Sequence, residues 1–564
     1  MRELSTDILI LGSGGAGLFA ALHAHRADPS LAITVAVKGL LGKCGCTRMV
    51  QGGYNVALAK EDSVERHFMD TIQGGKWLPD QDLAWKLVTL AVERIRELEN
   101  ELGCFFDRNP DGTVHQKAFA GQTFDRTVHK GDPTGIEIIN RLAEQVWARR
   151  INRLEEHRAI DLIKDHANSS IAGVLFIDMR SGEYVFVRAK AVLLATGGGP
   201  TMFKYHTPSG DKSCDGLAMA LRAGLPLRDM EMVQFHPTGL YAGAHTRMTG
   251  TVLEEGLRGS GGYLLNGAKE RFMPRYDPLA ERATRDFVSR AMFAEMRKGN
   301  TSPNGGLFIS MNHLNQDLVR KQFRGMVERC ADCGFDLAGG LVEVVPTAHY
   351  MMGGVEFKPD CSTALRGLFV AGEDAGGVHG ANRLGGNGVA NSTVFGAVAG
   401  DSMAAWVAQE GVLQDADRDA MDLAIRRCEP GVTTGQGKLE PLRERLYEVM
   451  WEKVGIIRDA AGLRAGLAEL AAIEHELDEC GVAVADRVFN LGWHDWLNMK
   501  NLAATSRVIA EAVLARTDSR GAHFREDFPA TGPLAQSAHT SACLQDGALA
   551  IGMKPVACIL PSNR

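Results

Sequence analysis

The sequence predicts an α/β fold in which a Rossmann-like nucleotide-binding domain is built from separate stretches of one chain. Three junctions, at each of which a buried strand runs into a glycine cluster, indicate this fold; the clusters begin near Gly12, Thr196 and Glu373. Long stretches of sequence separate the junctions, so other domains should be inserted between them. Three unrelated surface loops are the alternative.

The first junction lies at the N-terminus. Thr6 to Leu11, "TDILIL", reads as a buried strand, and "GSGGAG" then opens a helix through "LFAALHAHR". In this order the backbone N–H groups and the helix N-terminus face a pyrophosphate, and Gly12, Gly14 and Gly17 allow its close approach. A dinucleotide site is therefore favoured over a plain tight turn.

The second strand, "AITVAV", ends at Val37 and is followed by Lys38. An NAD site is expected to carry an acid here that holds the adenosine ribose. The departure argues against NAD and leaves FAD open.

The later junctions follow the same plan. "AVLLATGGGP" is a strand followed by Thr196 and three glycines, and "GLFVAGEDAGG" leads through further glycines to a helix at about Val389 to Trp406. Downstream, apolar residues spaced three and four apart in "LRERLYEVMWEKVGIIR" and "LAELAAIEHELDEC" predict packed helices.

Composition is that of a globular enzyme with two to four domains: 564 residues, 45% hydrophobic and 23% charged, with a net charge of -7. The balance is not basic enough for nucleic-acid binding. No secretory signal and no run of 18 or more apolar residues is visible, so we predict a cytoplasmic protein with no direct membrane span. Peripheral attachment to the inner membrane through partners stays open.

The eleven cysteines, scattered from Cys44 to Cys558, are predicted to be free thiols. The close pairs Cys44/Cys46 and Cys330/Cys333 have no second Cys pair or Cys/His cluster nearby. Zinc and iron–sulfur sites need four ligands, so no metal site is predicted.

Several ordered motifs resemble one family along nearly the whole chain. They are "GSGGAG", "QGGYNVAL", "ATGGG", "DMEMVQFHPTG", "EEGLRGSGGYLLN", "ERATRDFVSRAM", "PTAHYMMGG", "GANRLGGN" and "SRGAHFREDFP". The family is that of the succinate dehydrogenase and fumarate reductase flavoprotein subunits, which is related to L-aspartate oxidase.

The resemblance implies a discontinuous FAD-binding domain at residues 1–234 and 346–410. An α+β capping substrate domain would be inserted at 235–345, a helical domain would follow at 411–515, and an extended tail would occupy 516–564.

Family members oxidise succinate to fumarate or run the reverse reaction, passing hydride between substrate carbon and flavin N5. The resemblance thus implies an electron-transport flavoprotein, an FAD-dependent oxidoreductase acting on CH–CH bonds. Arg285 would be the proton donor or acceptor, with Glu255 and Arg258 as its relay. The substrate-binding residues would be Phe119, His236, Glu254, His349 and Arg383.

The resemblance also implies cofactor-binding residues. Gly12, Gly14, Gly15 and Gly17 would hold the pyrophosphate, and Lys38, Cys46, Thr47, Gly52 and Gly53 would lie along the ring and ribityl chain. Ala195 and Asp215 would lie near adenosine, and Glu373, Gly388 and Val389 would meet the ribityl chain and ring.

Glu254 departs from the family pattern, because succinate dehydrogenases carry a threonine there that donates a hydrogen bond to a substrate carboxylate. Two unit charges about 4 Å apart repel by roughly 4 kcal/mol at an effective dielectric near 20. Glu254 could pair with Arg247 or Arg258, could stay protonated, or could face a substrate that carries an ammonium, a hydroxyl or another donor.

Cys46 is the second departure. Respiratory relatives carry a histidine five residues before the Gln-Gly-Gly, bonded covalently to the flavin 8α-methyl, and counting back from Gln51 gives Cys46. Noncovalent FAD is the favoured reading, as in aspartate oxidases, and a cysteinyl link stays open.

Other functions stay open too. "HKGDPTG" from His129 to Gly135 resembles L-aspartate oxidases in part, so an amino acid oxidase is one alternative. A related enoate reductase or dehydrogenase with a non-succinate substrate is another, and a non-catalytic FAD-holding assembly protein is a third, against which the Arg285 relay argues. Without an iron–sulfur motif in the chain, electrons would pass to a soluble carrier, to a small oxidant or to an iron–sulfur subunit.

Overall fold

The computed structural model describes residues 1–243, 246–433 and 438–557. Cys558, with the rest of the predicted tail to residue 564, lies outside the described residues. So do residues 244–245 of the predicted capping domain and residues 434–437 of the predicted helical domain.

The strands form four sheets. In chain order they are β1 Arg2–Leu11, β2 Ile33–Val37, β3 Tyr54–Asn55, β4 Gln116–Lys117, β5 Thr127–Val128, β6 Asn152–Glu155, β7 His157–Lys164, β8 Ile171–Asp178, β9 Tyr184–Leu194, β10 Leu227–Arg228, β11 Val233–Leu240, β12 Tyr263–Leu265, β13 Leu307–Ser310, β14 Leu341–Met351, β15 Gly354–Val355, β16 Leu368–Val370, β17 Ala538–Gln545 and β18 Ala548–Pro555.

The helices lie between and after them. They are α1 Gly15–Ala27, α2 Val64–Gly74, α3 Gln81–Asn100, α4 Thr134–Ala148, α5 Asp215–Arg222, α6 Gly256–Gly259, α7 Arg285–Arg297, α8 Gln316–Gln322, α9 Arg324–Asp332, α10 Asn387–Gln409, α11 Arg418–Cys428, α12 Pro430–Thr433, α13 Leu439–Glu452, α14 Ala460–Cys480 and α15 Leu491–Ala515.

The main sheet has the order β6-β2-β1-β9-β8-β7, and β16 also pairs with β9. β1 runs parallel to β2 and to β9, and β16 runs parallel to β9. The three predicted strand-to-glycine junctions therefore meet at the carboxyl edge of one sheet. This confirms that the nucleotide-binding domain is assembled from separate stretches.

α1 and α10 cover this sheet in close contact. A Cβ at Gly396 or Gly400 of α10 would overlap the carbonyl oxygen of Ala16 or Ala20 of α1. Small residues let the two helix backbones approach, so the helices that follow the first and third junctions pack as one unit.

An inserted α+β layer covers the carboxyl edge of the sheet. Its antiparallel sheet has the order β11-β14-β13-β12, and its buried apolar residues, from Leu240 to Val344, form a core separate from the main one. The predicted boundaries after residues 234 and 345 fall within β11 and β14 and stay predictions.

The helices α11 to α15 follow, as the apolar spacing predicted. Trp493 and Trp496 on α15 are fully buried, and the Trp496 indole N–H donates to the Leu477 carbonyl of α14 at 2.7 Å. Within the described residues, no helix combines the length and the apolarity needed to cross a membrane.

The C-terminal tail was predicted to be an extended segment, but part of it is a hairpin. β17 and β18 form an antiparallel pair, and β17 also pairs with β10. The turn is Asp546-Gly547, with φ of 49° and 81°, which is the sequence and the conformation of a tight type I′ turn.

Candidate functional site

A cavity of about 630 Å³ lies between the carboxyl edge of the main sheet and the inserted layer. All predicted site residues except Gly17 and Arg258 line it. Those in its wall are Gly12, Gly14, Gly15, Lys38, Cys46, Thr47, Gly52, Gly53, Phe119, Ala195, Asp215, His236, Glu254, Glu255, Arg285, His349, Glu373, Arg383, Gly388 and Val389.

The turn before α1 forms a backbone cradle at one part of this wall. Gly12 has φ of +111°, and a Cβ there would overlap the carbonyl oxygen of Ala195. A Cβ at Gly17 would overlap the Gly12 carbonyl oxygen. Gly17, which lies in α1, therefore lets the helix pack closely against the turn. The Gly15 N–H donates to Thr47 Oγ1 at 3.0 Å. An open helix N-terminus in a glycine turn suits the pyrophosphate of FAD.

Lys38 lies beside Asp215 in the same cavity. Its Nζ is 2.8 Å from Asp215 Oδ2, and Arg158 Nη2 is 2.8 Å from Oδ1. Although burial opposes ionisation, the two cations hold the pKa of Asp215 well below its usual range. The family resemblance assigned Asp215 to the adenosine side and Lys38 to the ring and ribityl chain. The structure joins the two residues in one ion pair, and their assignment to parts of the cofactor stays a prediction.

Cys46 begins a short turn over the cavity, near Glu373 and Lys212. Burial and the nearby Glu373 carboxylate raise the pKa of the Cys46 thiol to about 12. Glu373 accepts from the backbone N–H groups of Met351 at 3.0 Å and Gly199 at 3.3 Å. The thiol is therefore neutral at physiological pH.

Gly52, Gly53 and Gly388 make room for other groups of the wall. A Cβ at Gly52 would crowd the Phe119 ring, and one at Gly53 would overlap the Val128 carbonyl oxygen. Gly388, at the start of α10, leaves space for the Arg383 guanidinium.

Arg285, Glu255 and Arg258 form one buried network. Arg285 donates from Nη2 at 2.6 Å and from Nε at 3.0 Å to Glu255 Oε2, and Arg258 donates to Oε1 at 3.1 Å. Burial alone would raise the pKa of Glu255. The two guanidinium groups have the larger effect, so the pKa lies below its usual value. Glu255 thus stays ionised, and Arg258 reaches Arg285 only through it.

Three more predicted residues face Arg285 across the cavity. The rings of His236 and His349 are 5.3 Å apart, and burial, with nearby arginines, holds both pKa values well below the usual histidine value. Arg383 stacks on the Tyr350 ring at 4.4 Å, and its buried Nε has no hydrogen-bond partner among the described residues. Burial and Arg285 lower the pKa of Arg383 to about 10. This group of neutral donors and cations fits a carboxylate.

Glu254 pairs with Lys117, whereas pairing with Arg247 or Arg258 was one of the three outcomes that the sequence left open. Lys117 Nζ lies 3.0 Å from Glu254 Oε1. Burial raises the pKa of Glu254 to about 7. Lys117 comes from β4, far from Glu254 in sequence, so no local pattern indicated the pair.

Gln234 was missed as a site residue. Its Oε1 accepts from Arg285 Nη1 at 3.1 Å, and its Nε2 donates to the Arg383 carbonyl at 2.8 Å. It therefore links the two arginines. Its place in "DMEMVQFHPTG", two residues before His236, could have indicated this role.

Gly385 was missed as well. A Cβ there would crowd Phe119, Glu255 and Arg285. The position opposite the Arg285 network must therefore be a glycine. This requirement can be seen only in the folded structure.

Comparison with known proteins gives two family matches. A model described as "FAD binding domain" matches residues 7–389, and one described as "Fumarate reductase flavoprotein C-term" matches residues 443–561. A "Fumarate reductase (CoM/CoB)" subunit of Methanothermobacter marburgensis is 39% identical over 535 residues, covering 93% of this chain and 95% of that protein.

Escherichia coli provides further matches. Its "Fumarate reductase flavoprotein subunit" is 33% identical over 547 residues, covering 93% of this chain and 89% of that protein. A solved chain of the E. coli quinol fumarate reductase is 32% identical and superimposes with a TM-score of 0.93, covering 100% of this chain and 99% of that one.

Proposed function

The chain belongs to the succinate dehydrogenase/fumarate reductase flavoprotein family, and from this premise we propose that Arg285 exchanges a proton with a fumarate- or succinate-like substrate. The protein is an FAD-dependent oxidoreductase that acts on CH–CH bonds. The observation that carries the proposed role is the double hydrogen bond from Arg285 to Glu255 in the wall of the cavity.

The chain's own residues divide the work. Arg383, His236 and His349 bind substrate carboxylate, because one is a buried cation and two are neutral rings able to donate. Phe119, 8% exposed, limits the space beside the substrate. Bound FAD supplies the hydride chemistry.

Proton exchange falls to Arg285. Arg285 is buried in the cavity wall, and the ionised Glu255 carboxylate holds its Nη2 and Nε in place for the transfer. Glu255 and Arg258 restore the proton to Arg285 after each turnover.

Several wall residues fit FAD. Gly12, Gly14 and Gly15 would meet the pyrophosphate with their backbone, and Thr47 steadies that turn. Asp215 and Lys38 would lie together at one end, with Glu373 and Cys46 farther along the cofactor.

An electron partner completes the proposal. The matched relatives of M. marburgensis and E. coli are named as subunits, which supports an iron–sulfur subunit or another carrier that exchanges electrons with the flavin. Purification of a tagged chain from its native cell should recover such a partner.

The direct test is anaerobic. The FAD-loaded protein is reduced, fumarate is added, and the return of oxidised-flavin absorbance is followed, with a panel of unsaturated mono- and dicarboxylates alongside. We expect fumarate to reoxidise the flavin; reduced flavin that no member of the panel reoxidises would contradict the proposal.

A further inference from the structure

The tail motif "SRGAHFREDFP" contains a tight turn that packs against the segment carrying Arg383. Arg520 and His523 close the turn with two backbone hydrogen bonds, of 2.8 and 3.0 Å. Gly521, the first residue between them, has φ of +55°, a left-handed conformation that favours glycine. The turn therefore has a defined shape at the point where it meets the rest of the protein.

Gly521 touches the backbone just before Arg383. Ala381 is buried, and its carbonyl oxygen accepts from the Ala522 N–H at 2.8 Å. A Cβ at Gly521 would lie only 2.3 Å from the same oxygen. This close approach is therefore possible only because residue 521 has no side chain.

Gly521 also contacts the helix that begins with Arg285. Its carbonyl oxygen accepts from Arg290 Nη1 of α7 at 2.8 Å. The Arg290 guanidinium also lies over the ring of Phe524 in the tail, 5.1 Å from the ring centroid. The backbone of Gly521 thus joins the two elements that bring Arg285 and Arg383 to the cavity.

Both sides of the contact at Gly521 are fixed by further hydrogen bonds. The Ala381 N–H donates to the Gly75 carbonyl, at the end of α2, at 3.0 Å. On the tail side, buried Arg525 donates to both carboxylate oxygens of Asp527, at 2.7 and 2.6 Å. A group inserted at Gly521 would therefore move backbone on one side or the other, because no flexible side chain is there to give way.

We propose that Gly521 is a positioning residue, whose bare backbone sets Arg383 and the helix of Arg285 at the spacing that a substrate carboxylate needs. This rests on the proposed function of the cavity. Gly521 acts through Ala381 and Arg290, without touching the substrate. Because binding groups must be placed to within a fraction of an ångström, a small displacement of either element should weaken binding.

Binding of fumarate to the oxidised holoenzyme tests this, because the complex cannot turn over without a reductant. The change in flavin absorbance on titration gives the dissociation constant. In Gly521→Ala we expect that constant to rise about tenfold or more, while the amount of flavin per chain stays at the wild-type level.

Gly547→Ala is the matched control for Gly521→Ala. Gly547 lies in the same tail and also has a positive φ, of +81°. Apart from its chain neighbours, no atom of the described residues lies within 4 Å of a Cβ placed there. Gly547→Ala thus carries the backbone strain without the overlap, and it should bind fumarate as the wild type does.

Arg290→Met tests the second contact without altering the turn. The variant removes the donor to the Gly521 carbonyl, so fumarate affinity should fall about threefold or more. Arg290→Lys should restore most of that affinity, because lysine fills a similar space and keeps a donor. Arg297→Met is the control and should bind as the wild type does, because Arg297 of the same helix bonds Glu526 of the tail outside the turn.

Hydrogen–deuterium exchange of the ligand-free holoenzyme measures the positioning without a substrate. The Ala381 N–H is hydrogen-bonded within a buried segment. Peptides that span residues 379–385 should exchange faster in Gly521→Ala than in the wild type, because the displaced segment opens more often. The same peptides in Gly547→Ala should exchange at the wild-type rate.

The outcomes separate the two claims. Wild-type affinity for fumarate in Gly521→Ala, or unchanged exchange of residues 379–385, overturns the role of Gly521. Equal affinities of Arg290→Met and Arg290→Lys also overturn it, and these two variants decide the matter if Gly521→Ala does not fold. If fumarate neither binds the wild type nor reoxidises its flavin, while exchange is faster in Gly521→Ala, the proposed function fails and the positioning of the Arg383 segment stands.

Discussion

Arg285 and Glu255 are joined by two hydrogen bonds to the same carboxylate oxygen, 2.6 Å from Nη2 and 3.0 Å from Nε. Glu255 in turn accepts from Arg258. The Arg285 guanidinium is therefore fixed in orientation, with Nη1 left to Gln234. Its function should depend on the shape of the side chain as well as on its charge.

Arg285→Lys should lower turnover by about 100-fold or more while FAD stays bound. A lysine lacks the planar fork that Glu255 orients, and a misplaced general acid loses its contribution. Steady-state kinetics and the flavin content of the purified variant measure the two effects. Arg297→Lys is the control, because Arg297 is an exposed residue on the same helix. Turnover near that of the wild type in Arg285→Lys would contradict the proposed role of Arg285.

Gly12→Ala should yield folded protein that has lost FAD. The added Cβ would overlap the Ala195 carbonyl oxygen and displace the turn from the cavity. Gly224→Ala is the matched control, because Gly224 also has a positive φ, of +84°, but has no neighbouring atom within 4 Å of an added Cβ. Circular dichroism checks the fold, and absorbance gives the amount of flavin per chain. Full occupancy by FAD in Gly12→Ala would show that the Gly12 turn is not needed for binding the cofactor.

Cys46 should not be bonded to FAD. With its pKa raised to about 12 by burial, the thiol carries almost no thiolate, the form that would attack the flavin methyl. Acid denaturation followed by ultrafiltration should therefore release all the yellow colour, as it should from Cys46→Ser. Colour that remains with the wild-type chain and is lost in the variant would establish a thioether.

Acid should destabilise the protein below about pH 6.5. Burial lowers the pKa of His67 to about 4 and that of His494 to about 3, so the unfolded chain binds protons first as pH falls. Between the unfolded and folded pKa values, each such histidine costs up to about 1.4 kcal/mol per pH unit.

His67→Gln tests this dependence by thermal denaturation from pH 7 to pH 5. The melting temperature of the variant should fall less steeply with acid than that of the wild type, since one titrating group is gone. His475→Gln, at a side chain 76% exposed, is the control. Equal slopes for His67→Gln and the wild type would exclude His67 as a contributor.

Local patterns predicted much of the fold. A strand, a glycine turn and a helix are neighbours in sequence, so β1 and α1 could be recognised directly, and the repeated junctions predicted that β9 and β16 would join the same sheet. The β17–β18 hairpin could also have been predicted, because Asp546-Gly547 separates two short runs of strand-forming sequence.

Pairs that form only in the folded chain could not be predicted. Lys117 and Glu254 are 137 residues apart, and Lys38 and Asp215 are 177 apart. The sequence around each of these four residues contains no pattern that identifies its partner. The motifs predicted Glu254 as a site residue, but its pairing with Lys117 depends on how β4 lies against the inserted layer.

The pairing of β17 with β10 has a consequence for synthesis on the ribosome. His539 bonds Asp229 across 310 residues, and Arg516 bonds Glu231 across 285. A growing chain exposes β10 and these two buried acids long before their partners are translated, and closing such long loops is slow. This part of the nascent protein must therefore remain incompletely folded until β17 has been translated, and chaperone contacts during translation should concentrate on the segment around Asp229 and Glu231.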